Sequence, residues 1–308
     1  MANAKLSTPT APVTNTTRTS RVQTARVESR WVGQRQSWGA AFLSYLGLAL
    51  MVVLIGLPVY WMITGSFKPT TEIYQIPPTW IPTQPTITNF IRAWNSAPFG
   101  RYYLNTIIVT VFGSSFEIFF AVTTAYAFAF LRFPKKEWLF LLLLAALMVP
   151  GQVTILPNYL TVGKLKWINT YQGIIVPGAS VAYGAFLLRQ YYRTLPLDIL
   201  DAAKVDGASH LRMLWSIVTP LAMPAIISFG MLSVVAKWND FLWPLIVTNT
   251  KEMRVLPIGI RGLILEEGSI DWGVVMAGTL FVVLPVLIVF LYAQRYIVEG
   301  IAAGAVKG

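Results

Sequence analysis

Apolar and polar residues in this chain alternate in long blocks rather than position by position. A first apolar run covers 38–67 and is long enough to cross a hydrocarbon core of about 30 Å as a helix. Five more follow at roughly 104–131, 138–156, 171–188, 214–236 and 272–292. The pattern therefore predicts an all-α, polytopic membrane protein with six transmembrane helices. Pro58 is expected to kink the first. The segment 68–100 carries Pro69, Pro77, Pro78, Pro82, Pro85 and Pro98 and is expected to form a non-helical, aromatic-bearing loop at the membrane surface. Pro150, Pro157 and Pro177 interrupt the third and fourth spans, which suits either a lined cavity or ordinary prolines of membrane helices.

One polar stretch stands out between two apolar runs, LDILDAAKVDGASHLRMLWSIVTPLAMP at 197–224. A short helix is predicted to start near Pro196, with Asp198 and Asp201 suiting the positive end of its dipole. Ile199, Ala202, Ala203 and Asp206 follow helical spacing and predict one narrow face with two alanines. Gly207 permits a left-handed turn that stops this helix. A second amphipathic segment follows, with Leu211, Leu214, Trp215 and Val218 on one side. A small-residue helix on a glycine turn reads as a plug for a groove on another protein.

Composition agrees with the blocks: 55% of residues are hydrophobic and 12% charged, and the mean hydropathy is +0.59. The formal net charge of +11 could suggest nucleic acid, but in a membrane chain lysine and arginine fix orientation, so no nucleic-acid partner is read. Placing both termini and the loops after spans two and four in the cytoplasm puts Arg132, Lys135, Lys136, Arg189, Arg193, Lys204 and Arg212 inside. Lys164, Lys166, Lys251, Arg254 and Arg261 then lie outside. Residues 1–36, with six basic side chains against Glu28, read as a disordered basic cytoplasmic tail preceding a permease domain at 37–308. No cysteine occurs, which removes disulfides, thiolate metal sites and cysteine nucleophiles. His210 is the only histidine, so no His-paired metal site can be built, and no GxxxxGK[ST] loop is present, so no ATPase site is read in this chain.

Two motifs carry a family resemblance. Asp201-Ala202-Ala203, Gly207, Ile217 and Pro220 reproduce the spacing of the "EAA" loop of bacterial ABC importer permeases, with Asp201 in place of the glutamate and Thr219 in place of the leucine. Lys237-Trp238-Asn239-Asp240-Phe241-Leu242-Trp243-Pro244 closes the fifth span and matches the family signature "WNDFLWP", which points to sugar importers. The order SFKP, PPTW and NFIRAW before Tyr103 is similar to carbohydrate-importer permeases, as is the carboxyl-terminal QRYIVEGIAAGAVKG. The resemblance covers about 40–308 and implies the second membrane subunit of a maltose-type, type I importer.

Such a subunit is expected in a bacterial or archaeal plasma membrane, multi-pass, in contact with the bilayer. Its implied partners are a homologous permease subunit, two cytoplasmic ATPase subunits that bind ATP and Mg, and an extracytoplasmic solute-binding protein. No cofactor is implied in this chain, and it is not itself an enzyme. The implied coupling loop spans about 193–213, with Asp201, Ala202, Ala203, Asp206, Gly207, Ile217 and Pro220 as ATPase-coupling residues. Trp238, Asn239 and Asp240 are candidates for the solute path, while Trp243 suits an interfacial anchor. Glu117, mid-span, is either a fourth path residue or a glutamate hydrogen-bonded to a neighbouring helix beside Ser114, Ser115 or Thr123. Two alternatives stand beside the sugar reading. One is the same machine for glycerol phosphate, phosphonate or peptide; the other is a secondary transporter or membrane enzyme with no ATPase partner. Secondary transporters usually show internal repeats, and none is evident here.

Overall fold

The computed structural model describes residues 38–179, 181–265 and 270–305, so the tail at 1–36 lies outside the described residues. Every regular element among them is helical. The chain divides into two compact units, 1–54 and 55–308. Of the first, the described part is the opening of α1 (Trp38–Ser66), with its apolar side chains exposed. The rest of the description concerns the second.

Helix α1 continues through Pro58 to Ser66. Two short helices follow in the proline-rich segment, α2 (Thr70–Ile73) and α3 (Thr88–Ser96), where a non-helical loop was expected. The difference has a physical cause. Pro69 and Pro98 stand at the N-caps of α2 and of the next helix, α4 (Phe99–Phe130), where a missing N–H costs nothing. Between them, Asn89 donates to the carbonyls of Ser66 and Lys68 at 3.0 and 2.7 Å. Glu72 accepts from the Thr79 hydroxyl at 2.7 Å and the Thr83 N–H at 2.9 Å.

Three spans are unbroken: Ala41–Ser66, Phe99–Phe130 and Trp272–Tyr292. Counting each bent pair of helices as one span brings the total to six. The pairs are α5 (Lys136–Leu147) with α6 (Gly151–Lys164), then α7 (Tyr171–Gly178) with α8 (Val181–Tyr192). The coupling stretch supplies α9 (Leu197–Val205) and then α10 (His210–Met213), which runs through a π turn (Leu214–Val218) into α11 (Thr219–Leu221). The last pair joins this α10–α11 segment to α12 (Met223–Trp238). After α13 (Leu242–Val247), a 3-10 turn (Lys251–Met253) and α14 (Leu256–Leu265), the helix α15 (Trp272–Ala305) closes the described chain.

The bends fall where backbone donors are missing. Pro150 precedes α6 and the chain turns by 96° there, so the third apolar run is two helices and ends at Lys164 rather than near 156. Pro220 and Pro224 flank Ala222, where the axis turns by 81°. Close packing holds the middle. A Cβ on Gly184 would lie 2.3 Å from the Phe229 ring and 2.7 Å from Ala121 Cβ, so glycine lets α4, α8 and α12 meet.

Candidate functional site

The coupling stretch is built as the sequence predicts at its ends and differently across its face. Pro196 caps α9, and Asp206 ends it. Gly207 takes φ +74°, its N–H reaching the Lys204 carbonyl at 3.0 Å while the Ala208 N–H reaches that of Ala203 at 2.9 Å. That pair of bonds is the Schellman arrangement for closing a helix. Ser209 then caps α10, accepting from the Arg212 N–H. Nothing stands within 4 Å of where a Gly207 Cβ would be, so the turn is open on its outer side.

The predicted face of Ile199, Ala202, Ala203 and Asp206 does not form. Ala203 turns inward with Leu200, and both join a core of Tyr126, Leu188, Tyr192, Met213, Leu214 and Val218. Ile199, Asp201, Ala202, Val205 and Asp206 face outward. The second segment departs as well. Leu214 and Val218 are buried, but Leu211 is exposed and Trp215 stacks on Phe119, rings 6.0 Å apart. The π turn at Leu214–Val218 changes the residue-per-turn count that the spacing assumed. Ile217 packs against the core and Pro220 is exposed. Asp201 pairs with Lys204 at 2.7 Å in the open, which adds little stability. Tyr126, near the end of α4, meets the loop through its hydroxyl, 3.2 Å from His210 Nδ1.

Glu117 is buried on α4 and lies 3.0 Å from the Lys237 ammonium on α12. Ser233 donates to its other oxygen. Lys237 also donates to the Gly178 carbonyl, at the point where α7 ends and the fourth span is interrupted. One lysine thus ties the second, fourth and fifth spans and supplies a donor to a backbone oxygen that a broken helix leaves over. Glu117 does face a neighbouring helix, where it meets Lys237 and Ser233 of α12. A cavity of about 290 Å³ borders the pair, lined by Glu117, Tyr183, Phe229, Leu232, Ser233 and Ala236.

The three candidate path residues after Lys237 have separate surroundings. Trp238 is 8% exposed, its indole N–H donates to the Val282 carbonyl at 3.0 Å, and it packs with Phe99, Tyr102 and Leu256. In this state it joins helices within the subunit. Asn239 is exposed and its side chain bonds back to the Val235 carbonyl. Asp240 is partly buried; burial pushes its carboxyl above the usual range, opposed by the Lys237 charge and the Trp243 N–H. Trp243 donates to the Gly173 carbonyl at 3.1 Å, so its indole is fixed by protein rather than by the membrane interface alone.

Lys237, Ser233 and Tyr126 were not singled out by sequence reasoning. Lys237 had a usable signal: a lone cation closing an apolar span calls for a carboxylate, and Glu117 is the carboxylate inside the second span. Arg189 is similar. It was read as a loop charge, yet it is 5% exposed, lies over the Phe140 ring and pairs with Glu137 at 3.0 Å.

Comparison with known proteins gives a consistent set of relatives. The family described as "Binding-protein-dependent transport system inner membrane component" matches residues 117–302. The arabinooligosaccharides transport system permease protein AraQ of Bacillus subtilis is 33% identical over 87% of this chain and 95% of its own length. The sn-glycerol-3-phosphate transport system permease protein UgpE of Yersinia enterocolitica is 31% identical, covering 85% of this chain and 96% of its own. Among solved structures, a bacterial ABC transporter involved in the import of the acidic polysaccharide alginate superposes with a TM-score of 0.78 at 22% identity, over 86% of this chain and 98% of that one.

Proposed function

The chain belongs to the inner membrane components of binding-protein-dependent transport systems, and from that premise we propose that it carries a sugar or oligosaccharide inward as one of two permease subunits driven by a separate ATPase pair. Membership makes it a multi-pass transport component rather than a catalyst. The observation that carries the rest is the α9–Gly207–α10 projection, charged and apolar on its outer face and open around a left-handed glycine. Asp198, Asp206 and the Asp201–Lys204 pair flank Ala202 and Val205 there, a surface suited to an apolar groove with a polar rim.

In this reading the projection, the tail and both termini are cytoplasmic. Closure of the ATPase dimer moves α9; Leu200 and Ala203, buried beneath it, pass that displacement into the core shared with α4 and α8. Coupling requires that the ATPase bind the two states with different affinity. Glu117 and Ser233 offer hydrogen-bonding groups at the lined cavity, with Asn239 and Asp240 further along the fifth span.

The test is co-purification of the ATPase with the permease pair, followed by hydrolysis with and without solute-loaded binding protein. Gly207→Val and Ala202→Trp, both at exposed positions, should leave a folded subunit that loses the ATPase or its stimulation. Wild-type yield and full stimulation in both would overturn the docking role. A second solute class has support of its own, because UgpE matches about as well as AraQ. Uptake of labelled arabino-oligosaccharide against sn-glycerol 3-phosphate separates the two.

A further inference from the structure

The ammonium of Lys237 stands within reach of two carboxylates that hold it unequally. Glu117 on α4 lies 3.0 Å away, and the Gly178 carbonyl accepts a hydrogen bond from the same nitrogen. Asp240 follows three residues after the lysine, just past the end of α12, and forms no ion pair among the described residues. It is partly buried, accepts from the Trp243 N–H and already feels the Lys237 charge. A half-buried carboxylate without an ion-pair partner is costly to keep, and the neighbouring lysine is the charge that can offset it.

The lysine has room to move between them. A Cβ on Gly113 would lie 3.6 to 3.7 Å from Lys237 Cγ, Cδ and Cε, and one on Gly178 would lie 3.6 Å from its Nζ. The stem therefore runs between two glycines, with no side chain at either to fix it. Toward the Phe99 end of α4, Ser114 and Thr110 follow Glu117 at one and two turns, on the face that also carries Gly113. Both are buried, and neither hydroxyl has a hydrogen-bond partner. Serine and threonine within a helix can return their hydroxyls to a carbonyl one turn back, as Thr106 does to Tyr102. Ser114 and Thr110 do not, so they offer acceptors along the route of the lysine.

We propose that Asp240 is a positioning residue of the transport cycle: it is the second seat of the Lys237 ammonium, which leaves Glu117, passes Ser114 and Thr110, and lets go of Gly178 as it moves. The inference rests on the importer reading, in which the fourth span must shift against the fifth. At rest, Lys237 pins the joint between α7 and α8 to α4 and α12. With the lysine on Asp240 that joint is released and the half-buried carboxylate gains its counter-charge. Parting the Glu117 pair is costly, which keeps the two arrangements discrete, and nucleotide-driven closure supplies the difference.

The experiment uses the whole transporter in nanodiscs, its partner subunits stripped of cysteine. Spin labels are attached through Val176→Cys on α7 and Leu232→Cys on α12, both exposed positions in a cysteine-free chain. Their separation is measured by pulsed electron resonance at rest, and again after trapping with ATP, magnesium and vanadate beside loaded binding protein. Wild type should show one distance at rest and a second on trapping. Asp240→Asn, whose amide still accepts from the Trp243 N–H, and Ser114→Ala should keep the resting distance and a thermal midpoint at or above wild type. Asp240→Asn should reduce the second population roughly tenfold, with solute-stimulated hydrolysis falling in step. Ser114→Ala should reduce it by a smaller factor, and Asp240→Glu should restore it. A trapped population equal to wild type in Asp240→Asn would overturn the proposal, and if only the apparent solute affinity changed, Asp240 would belong to the solute path instead. A lowered resting midpoint in either variant would make the role structural and overturn it too. A wild type stimulated by solute that keeps a single distance removes this step and leaves the coupling reading standing. A wild type with no co-purifying ATPase removes the coupling reading, and this step with it.

Discussion

The Glu117–Lys237 pair gives a sharp quantitative test. At an effective dielectric of about 20, unit charges 3.0 Å apart attract by about 5 kcal/mol. Much of that offsets the desolvation of two buried ions, so the net worth of the pair is smaller than its attraction. Removing one partner is different, because the other charge stays buried; Lys237→Met should therefore cost about 3–5 kcal/mol. Glu117→Gln should cost similarly. The double variant, which leaves no stranded charge, should cost much less than the two singles combined. Read as thermal midpoints of the purified complex at one heating rate, each single should fall by about 5–10 °C. The swapped pair, Glu117→Lys with Lys237→Glu, should not recover, because a carboxylate at 237 would confront the Gly178 carbonyl that the lysine now serves. Strictly additive single variants, or full recovery in the swapped pair, would refute the reasoning.

The surroundings of Trp238 and Asn239 predict opposite outcomes. Trp238→Ala empties a buried site and should cost about 3–5 kcal/mol, seen as lost assembly yield, whereas Asn239→Ala should stay within about 0.5 kcal/mol in thermal stability. A Trp238→Ala complex that assembles normally and changes only solute affinity would contradict this packing. Glu72 predicts a pH response. Its hydrogen bond from Thr79 holds its carboxyl below the usual 4.5. A lowered folded-state value means that its contribution is complete above the ordinary glutamate range and is lost as pH falls through the lowered value. Limited proteolysis of the 68–98 segment in wild type should rise in that acid range, and Glu72→Gln should already be susceptible at neutral pH.

Much of the fold was legible because membrane spans are written in blocks: apolar length located the candidate spans within about five residues, except that the third runs on to Lys164. Gly207 was legible for a similar reason, since a left-handed helix stop narrows the choice of residue. What escaped were features that depend on which neighbour a side chain meets. The spacing of Ala202 and Ala203 could not tell which alanine faces the core, because adjacent helical positions lie only about 100° apart and either can face inward. The π turn at Leu214–Val218 left no mark in composition, so Trp215 was put on the wrong side. Prolines read as breakers at 69 and 98 serve as helix starts, a role that local sequence permits equally. Lys237 and Glu117 were both visible, but their meeting is a fact of packing between helices.

Helix α4 runs from Asn105, whose amide holds the Glu252 and Arg254 carbonyls, to Tyr126 beside His210. At 1.5 Å per residue, those two positions stand about 30 Å apart on one uninterrupted rod. The neighbouring spans are jointed at Pro150, near Gly178 and at Ala222, while this one has no joint. A rod held near its middle by the Glu117 pair would act as a lever arm. A tilt of only 5° about that point would move each tip by about 1 Å in opposite senses, so in the coupling proposed above a push at the His210 end and a loosening of the Asn105 clamp would be two readings of one rotation.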